Sequence, residues 1–264
     1  MSERMPVVFI SHGAPDALLK APDAVARWGE IGQLVPEPAA ILVVSAHWEA
    51  HLPTVSLSGQ PETIHDFSGF SPELYRMQYP APGAPVLAER VATLLSAAGL
   101  AADLHPSRGL DHGAWVPLSA MYPQANVPVT QLSLLQNADP ATHFELGRAL
   151  APLRDEGVLI VGSGAITHNF SWLDWRANAG HAPFPQAKIF TDWVADRLEA
   201  RDMSALLTYR SAQYGADSHP SEDHFLPLFV ALGAAMNDIP VRYQPRFAYG
   251  GLAMDAYLWP ASST

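Results

Sequence analysis

The 264-residue chain contains no cysteine, which excludes a disulfide scaffold, a thiolate metal site and a cysteine nucleophile. Basic residues are scarce: 15 Lys and Arg stand against 26 Asp and Glu, a formal net charge of −11. No basic cluster is present to neutralise phosphates, the main source of nucleic-acid affinity, so no nucleic-acid partner is expected. Long apolar runs are missing as well. Segments such as 39–44 fall far short of the ~20 residues that a membrane helix needs. The opening residues show no apolar stretch before a small-residue cleavage site, so no secretory signal is expected. A cytoplasmic protein without membrane association is the resulting expectation. No repeat, charge run or Gly/Ser linker divides the chain, and 48% of its residues are hydrophobic. One domain spanning residues 1–264 is therefore expected, with ample apolar material for a core.

What is present alternates. Residues 7–10, 41–45, 129–134 and 158–161 are short apolar runs bounded by Gly, Pro or polar residues, the pattern of buried strands. Between them, 84–98, 140–153 and 186–201 place apolar residues on one helical face. Residues 221–235 begin with Ser221, a good N-cap, followed by Glu222 and Asp223, which suit the positive end of a helix. Residues 241–243 and 247–258 read as closing strands around Gly250-Gly251. The expected fold is α/β, with a central mostly parallel or mixed sheet flanked by helices. In such sheets ligands bind beyond the carboxyl ends of the strands.

Histidines occupy those positions. The chain has eleven. The first strand runs into His12, the second into His47, and 158–161 leads through Gly162-Ser163-Gly164 to His168. His112 sits in the glycine-flanked loop 109–113, and His219 and His224 bracket the start of the 221–235 helix. Imidazole is a common ligand for zinc and a good one for iron, so a histidine metal site is a leading reading. Gly162-Ser163-Gly164 also has the look of a phosphate cradle. It lacks the full GxGxxG pattern and the Walker lysine, which weakens a nucleotide reading. Residues 109–113 are no nucleophile elbow, having no central serine.

Six motifs occur in order: Ser11-His12-Gly13-Ala14-Pro15, Ser45-Ala46-His47-Trp48, Asp66-Phe67-Ser68-Gly69-Phe70, Gly109-Leu110-Asp111-His112-Gly113-Ala114-Trp115, Thr167-His168-Asn169 and His219-Pro220-Ser221-Glu222-Asp223-His224. Together they resemble the class III extradiol ring-cleaving dioxygenases of the 4,5-DOPA dioxygenase type, over residues 7–228. The resemblance implies a non-haem iron enzyme that opens a catechol or related small aromatic diol with dioxygen, giving a muconic semialdehyde. It implies His12, His47 and His224 as metal ligands, with Asp223 as the alternative to His224. It also implies His168 as the acid/base residue and His112 as a group that approaches substrate or oxygen; a loop contact with Asp111 is the structural alternative for His112. Fe(II) is the implied metal for turnover, and Zn(II) a possible occupant, with His168 as its fourth ligand. A zinc hydrolase using His168 as base is the competing function.

Other residues are less determined. His219 either lines the pocket or braces its loop. His51, His65, His105, His143 and His181 read as surface or packing residues. Trp48, Phe67, Phe70 and Trp115 are candidate pocket walls, and Arg76, Arg108 and Arg176 candidate anchors for a substrate carboxylate.

Overall fold

The computed structural model describes residues 4–177 and 182–261. Its strands are β1 (Val7–Ser11), β2 (Ala40–Ala50), β3 (Thr54–Ser56), β4 (Asp103–His105), β5 (Val129–Leu135), β6 (Val158–Gly164), β7 (Val241–Tyr243) and β8 (Ala256–Trp259). They form one eight-stranded mixed sheet in the order β4-β3-β5-β2-β6-β1-β8-β7. The central four, β5, β2, β6 and β1, are mutually parallel. β8 and β7 close one side antiparallel, and β3 joins β5 antiparallel on the other. The expected α/β architecture is the observed one.

The helices are α1 (Ala17–Lys20), α2 (Pro22–Leu34), α3 (Pro85–Ala97), α4 (His112–Met121), α5 (Pro140–Leu150), α6 (Pro185–Glu199), α7 (Met203–Leu207), α8 (Gly215–Ser218) and α9 (Leu226–Ala235). Successive strand residues point to opposite faces. Val7 and Phe9 enter the core under α3, α5, α6 and α9, while Val8 and Ile10 enter the core under α2 and α4. Both faces are covered, which is why the central strands read as continuous apolar runs rather than as alternation.

Several boundaries differ from the sequence expectation. The 140–153 helix ends at Leu150 and tightens into a 3-10 segment, Ala151–Glu156. The last helix begins at Leu226, not at Ser221; Pro227 lies in its first turn, where a missing N–H costs nothing. The expected 247–258 strand is confined to Ala256–Trp259, and Ala248 and Leu252 form only an isolated bridge around the glycine turn. His112 is the first residue of α4 rather than a loop residue. α4 was hidden by Pro117 within it and by the apolar character of nearly all its faces.

Candidate active site

The parallel strands deliver the site from their carboxyl ends. His12 follows β1 directly. His47 lies within β2, where the pairing with β5 shifts register between Val44 and Glu49. Such a bulge re-aims a side chain, here out of strict strand alternation. His224 lies on the turn that precedes α9. That turn rests directly on β6, because a Cβ at Gly164 would collide with the His224 carbonyl and one at Gly162 with that of Pro227. Close helix approach is thus what Gly162-Ser163-Gly164 provides, and no phosphate cradle is needed to explain it.

His12, His47 and His224 each bring a ligand atom within 4.8 Å of the others. The Nε2 atoms of His12 and His47 are 2.9 Å apart. Hydrogen bonding fixes two of the tautomers. Ser163 Oγ donates its single proton to the Gly113 carbonyl, so toward His12 Nδ1, 3.0 Å away, it can only accept. His12 therefore carries its proton on Nδ1 and presents the Nε2 lone pair. His224 Nδ1 donates to Asp223 Oδ2 at 2.5 Å, which likewise leaves its Nε2 free. Burial pushes His12 and His224 well below the usual imidazole range, and the neighbouring imidazoles push the same way. Burial and His112 bring His47 down to about 4, although Asp111 and Asp66 oppose the shift. Three neutral imidazoles with converging nitrogens and no thiolate suit a divalent transition metal such as iron or zinc.

Asp223 does not share the cluster of His12 and His47; it groups with His168 and His224. With the helix starting only at Leu226, Asp223 is free to turn back onto its neighbour. His168 lies flat against His224, and its ligand atom groups with those of Asp223 and His224, not with His12 and His47. Burial lowers its pKa, partly opposed by the Asp223 carboxylate.

His112 stands against His47, with ring centroids 3.9 Å apart. Its partner is Asp66, not Asp111. Asp66 Oδ1 accepts from both the His112 backbone N–H at 2.9 Å and its Nδ1–H at 3.0 Å. Burial acts to raise the Asp66 pKa, but the bonds from His112 outweigh it and hold the carboxyl at about 2. Asp111 points the other way and is fully buried. It accepts from Ser45 Oγ, Gln131 Nε2 and Arg108 Nη2, behind His47.

A cavity of about 840 Å³ opens over these groups, lined in part by His47, His112, His168 and His224. Phe67 and Phe70 wall it; Trp48 and Trp115 do not. Trp48 instead lies under Arg108, and Trp115 is buried with its indole N–H on the Ile64 carbonyl. His219 is a brace: fully buried, it donates to the Ile166 carbonyl at 2.9 Å and stacks on Phe225. His143 is buried and bonded to the backbone of Asp139 and Leu135, whereas His51 and His105 are exposed. His65 is half-buried on the Met77 carbonyl, and His181 lies outside the described residues. None of the three arginines lines the cavity. Arg108 bonds the His47 carbonyl and Asp111, while Arg76 and Arg176 are exposed. The cation among the lining residues is Lys20, close to Asp16, and neither stands in a position that strand or helix periodicity singles out.

Known proteins are similar to this chain over most of its length. The family described as the catalytic LigB subunit of aromatic ring-opening dioxygenase matches residues 17–253. His12 lies just before that stretch, so its place in the cluster rests on the fold. A 4,5-DOPA dioxygenase extradiol of Escherichia coli (strain K12) is 40% identical, over 91% of this chain and 89% of its own length. One from Portulaca grandiflora is 44% identical, over 86% of this chain and 84% of its own. A crystal structure of an uncharacterized protein from Escherichia coli K12 superposes with a TM-score of 0.80 at 33% identity. That match covers 97% of this chain and 99% of the other.

Proposed function

The chain belongs to the LigB family of aromatic ring-opening dioxygenases, and from that premise we propose that His12, His47 and His224 hold the metal at which this extradiol dioxygenase opens a catechol. The observation that carries the reading is the convergence of three neutral imidazoles at the carboxyl ends of parallel strands, two of them locked in the tautomer that offers Nε2. An iron(II) ion held there supplies the electron transfer between catechol and dioxygen, which zinc(II), bound by the same nitrogens, does not. The substrate is a small aromatic diol, DOPA-like or related, the product a muconic semialdehyde, and the whole chain, residues 1–264, one catalytic domain. The proposed setting is cytoplasmic; no helix among the described residues is long and apolar enough to cross a membrane.

The protein's own task is to place and move protons. His168 lines the cavity and is held neutral by burial, so a ring nitrogen is ready to take a catechol hydroxyl proton and to return it later. His112, with Nδ1–H fixed on Asp66, keeps Nε2 for a hydrogen bond to substrate or oxygen. Phe67 and Phe70 exclude water and confine the ring. In a zinc form without substrate, His168 would be the candidate fourth ligand. A hydrolytic use of the same histidines finds no support among the relatives.

Metal analysis of single alanine variants tests the ligand set. His12→Ala, His47→Ala and His224→Ala are each expected to lose most bound metal, since a two-ligand site chelates poorly. Stoichiometric metal in any one of them removes that residue from the set.

A further inference from the structure

The register of β2 breaks at the proposed ligand His47. Against β5 it jumps from the pair Val44–Leu132 to the pair Glu49–Leu134, and against β6 it ends at Ser45–Ser163. Ala46, His47 and Trp48 therefore pair in neither ladder, and their backbone polar groups must find other partners. His47 finds both of its partners on side chains. Its N–H donates to Ser45 Oγ at 3.2 Å, and its carbonyl accepts from Arg108 Nη2 at 3.3 Å. Asp111 joins those two side chains to each other. Ser45 Oγ donates to Asp111 Oδ1 at 2.6 Å, and Arg108 Nη2 donates to Asp111 Oδ2 at 3.3 Å. The four bonds close a ring that begins and ends on the His47 backbone.

The members of the ring are themselves held. Asp111 is fully buried, and Gln131 braces it twice: Nε2 donates to its Oδ2 at 2.8 Å and Oε1 accepts from its N–H at 3.0 Å. The Arg108 carbonyl accepts from Ser56 Oγ at 2.6 Å, and the guanidinium lies over the Trp48 ring, 5.2 Å from its centroid. We propose that Arg108 is a positioning residue for the metal site: with Ser45 and Asp111 it clamps the His47 backbone and so fixes the direction of the imidazole. This rests on the reading of His47 as a metal ligand. Arg108 does not line the cavity, so it acts through His47 and not on substrate. Its charge also offsets the buried Asp111 carboxylate, which lets an ionised group sit behind the ligand. Removing either Arg108 or Ser45 opens the same ring, so their losses overlap.

The test titrates metal-free protein with cobalt(II), whose visible absorption reports ligand geometry, against a competing chelator. Arg108→Met keeps an apolar stem on Trp48 and loses both bonds. It should bind cobalt about 10- to 100-fold more weakly than wild type, the scale for groups that orient a ligand from behind, with shifted absorption bands. Arg108→Lys keeps a cation beside Asp111, which protects the fold, but its compact ammonium does not reproduce the Arg108 geometry. It too should bind more weakly than wild type. Ser45→Ala should weaken binding by a similar factor, and the Arg108→Met/Ser45→Ala double variant by little more than the worse single change. Independent damage would instead multiply. Wild-type cobalt affinity in either Arg108 variant, or losses that multiply, overturns the proposal. His47→Ala separates the two readings, since wild-type affinity in that variant would remove His47 from the ligand set. The nitrogen-15 shifts of the His47 ring in metal-free protein would still decide the clamp. They should move in Arg108→Lys, and unmoved shifts would show that Arg108 does not hold His47.

Discussion

His168 lies face to face with His224, their ring centroids 3.5 Å apart and their planes within 8° of parallel. One of these rings belongs to the proposed ligand set, and the other is poised over it without sharing its cluster with His12 and His47. In the proposed reaction the stack would set a proton acceptor beside the metal site, and burial, which lowers its pKa from the ordinary histidine value, favours its uncharged form.

His168→Ala is accordingly expected to keep its metal and lose turnover by roughly two to four orders of magnitude, the range for general acid–base catalysis. The wild-type kcat/KM profile should be flat around pH 7, where His168 is neutral, and fall on an acidic limb below about 6.5. That limb should be altered in the variant. Normal turnover by His168→Ala removes the residue from the chemistry.

Asp223 and His224 make different predictions although they are neighbours. A ligand removed abolishes the site, whereas a carboxylate behind a ligand tunes it by about 10- to 100-fold in affinity. Asp223→Asn should therefore bind metal about 10- to 100-fold more weakly, and His224→Ala should bind almost none. Equilibrium titration with a chelator as competitor distinguishes them. The reverse order would make Asp223 the third ligand.

The four central parallel strands and the histidines that follow them were legible because both follow from local pattern: apolar runs buried on two faces, then a polar residue at the carboxyl end. Asp66 was visible within its motif but not as the partner of His112, because the two are 46 residues apart and meet only through the fold. Asp111 was the natural partner by sequence, yet Ser45, Gln131 and Arg108 claim it on the other side. The late start of α9 was missed because Ser221, Glu222 and Asp223 satisfy every local rule for a helix start. Contact of the preceding turn with β6 overrides them. Asp16 and Lys20 carried no signal in the sequence, since a cavity wall has no periodicity.

Gly113 tests how tightly the back of the site is packed. A Cβ there would overlap Ser45 Oγ and come within 3.1 Å of His47 Cδ2 and 3.2 Å of Asp111 Oδ1. Gly113→Ala should thus displace His47 and lower metal occupancy, measured by elemental analysis, while the melting curve remains cooperative. Full occupancy with unchanged affinity would mean that the site absorbs a methyl group.

Acid should destabilise the metal-free protein through its buried histidines. Burial brings His47 to about 4 and His219 to about 3, and lowers His143 and His168 as well. Each of these imidazoles holds fewer protons folded than unfolded. Stability is therefore full above about pH 6.5, where the unfolded imidazole is neutral, and declines as pH falls toward the folded values. Each fully shifted histidine contributes a slope approaching ~1.4 kcal/mol per pH unit in that window. Urea unfolding at pH 7.5 and pH 5 should show the loss, and His219→Phe should reduce it by about one histidine's share. An equal slope in His219→Phe would mean that His219 titrates normally in the folded chain.

Oxygen consumption measures most directly whether this histidine cluster works with a redox-active metal on a catechol. Protein stripped of metal, reloaded with iron(II) without air, and mixed with a catechol in an oxygen electrode should take up one dioxygen per ring opened when air is admitted. A yellow semialdehyde should appear at the same rate. The zinc-loaded protein should consume none, because zinc has no accessible redox change. If the iron form takes up no oxygen with any catechol in a panel of substituted rings, or if the zinc form does so equally well, the account is contradicted.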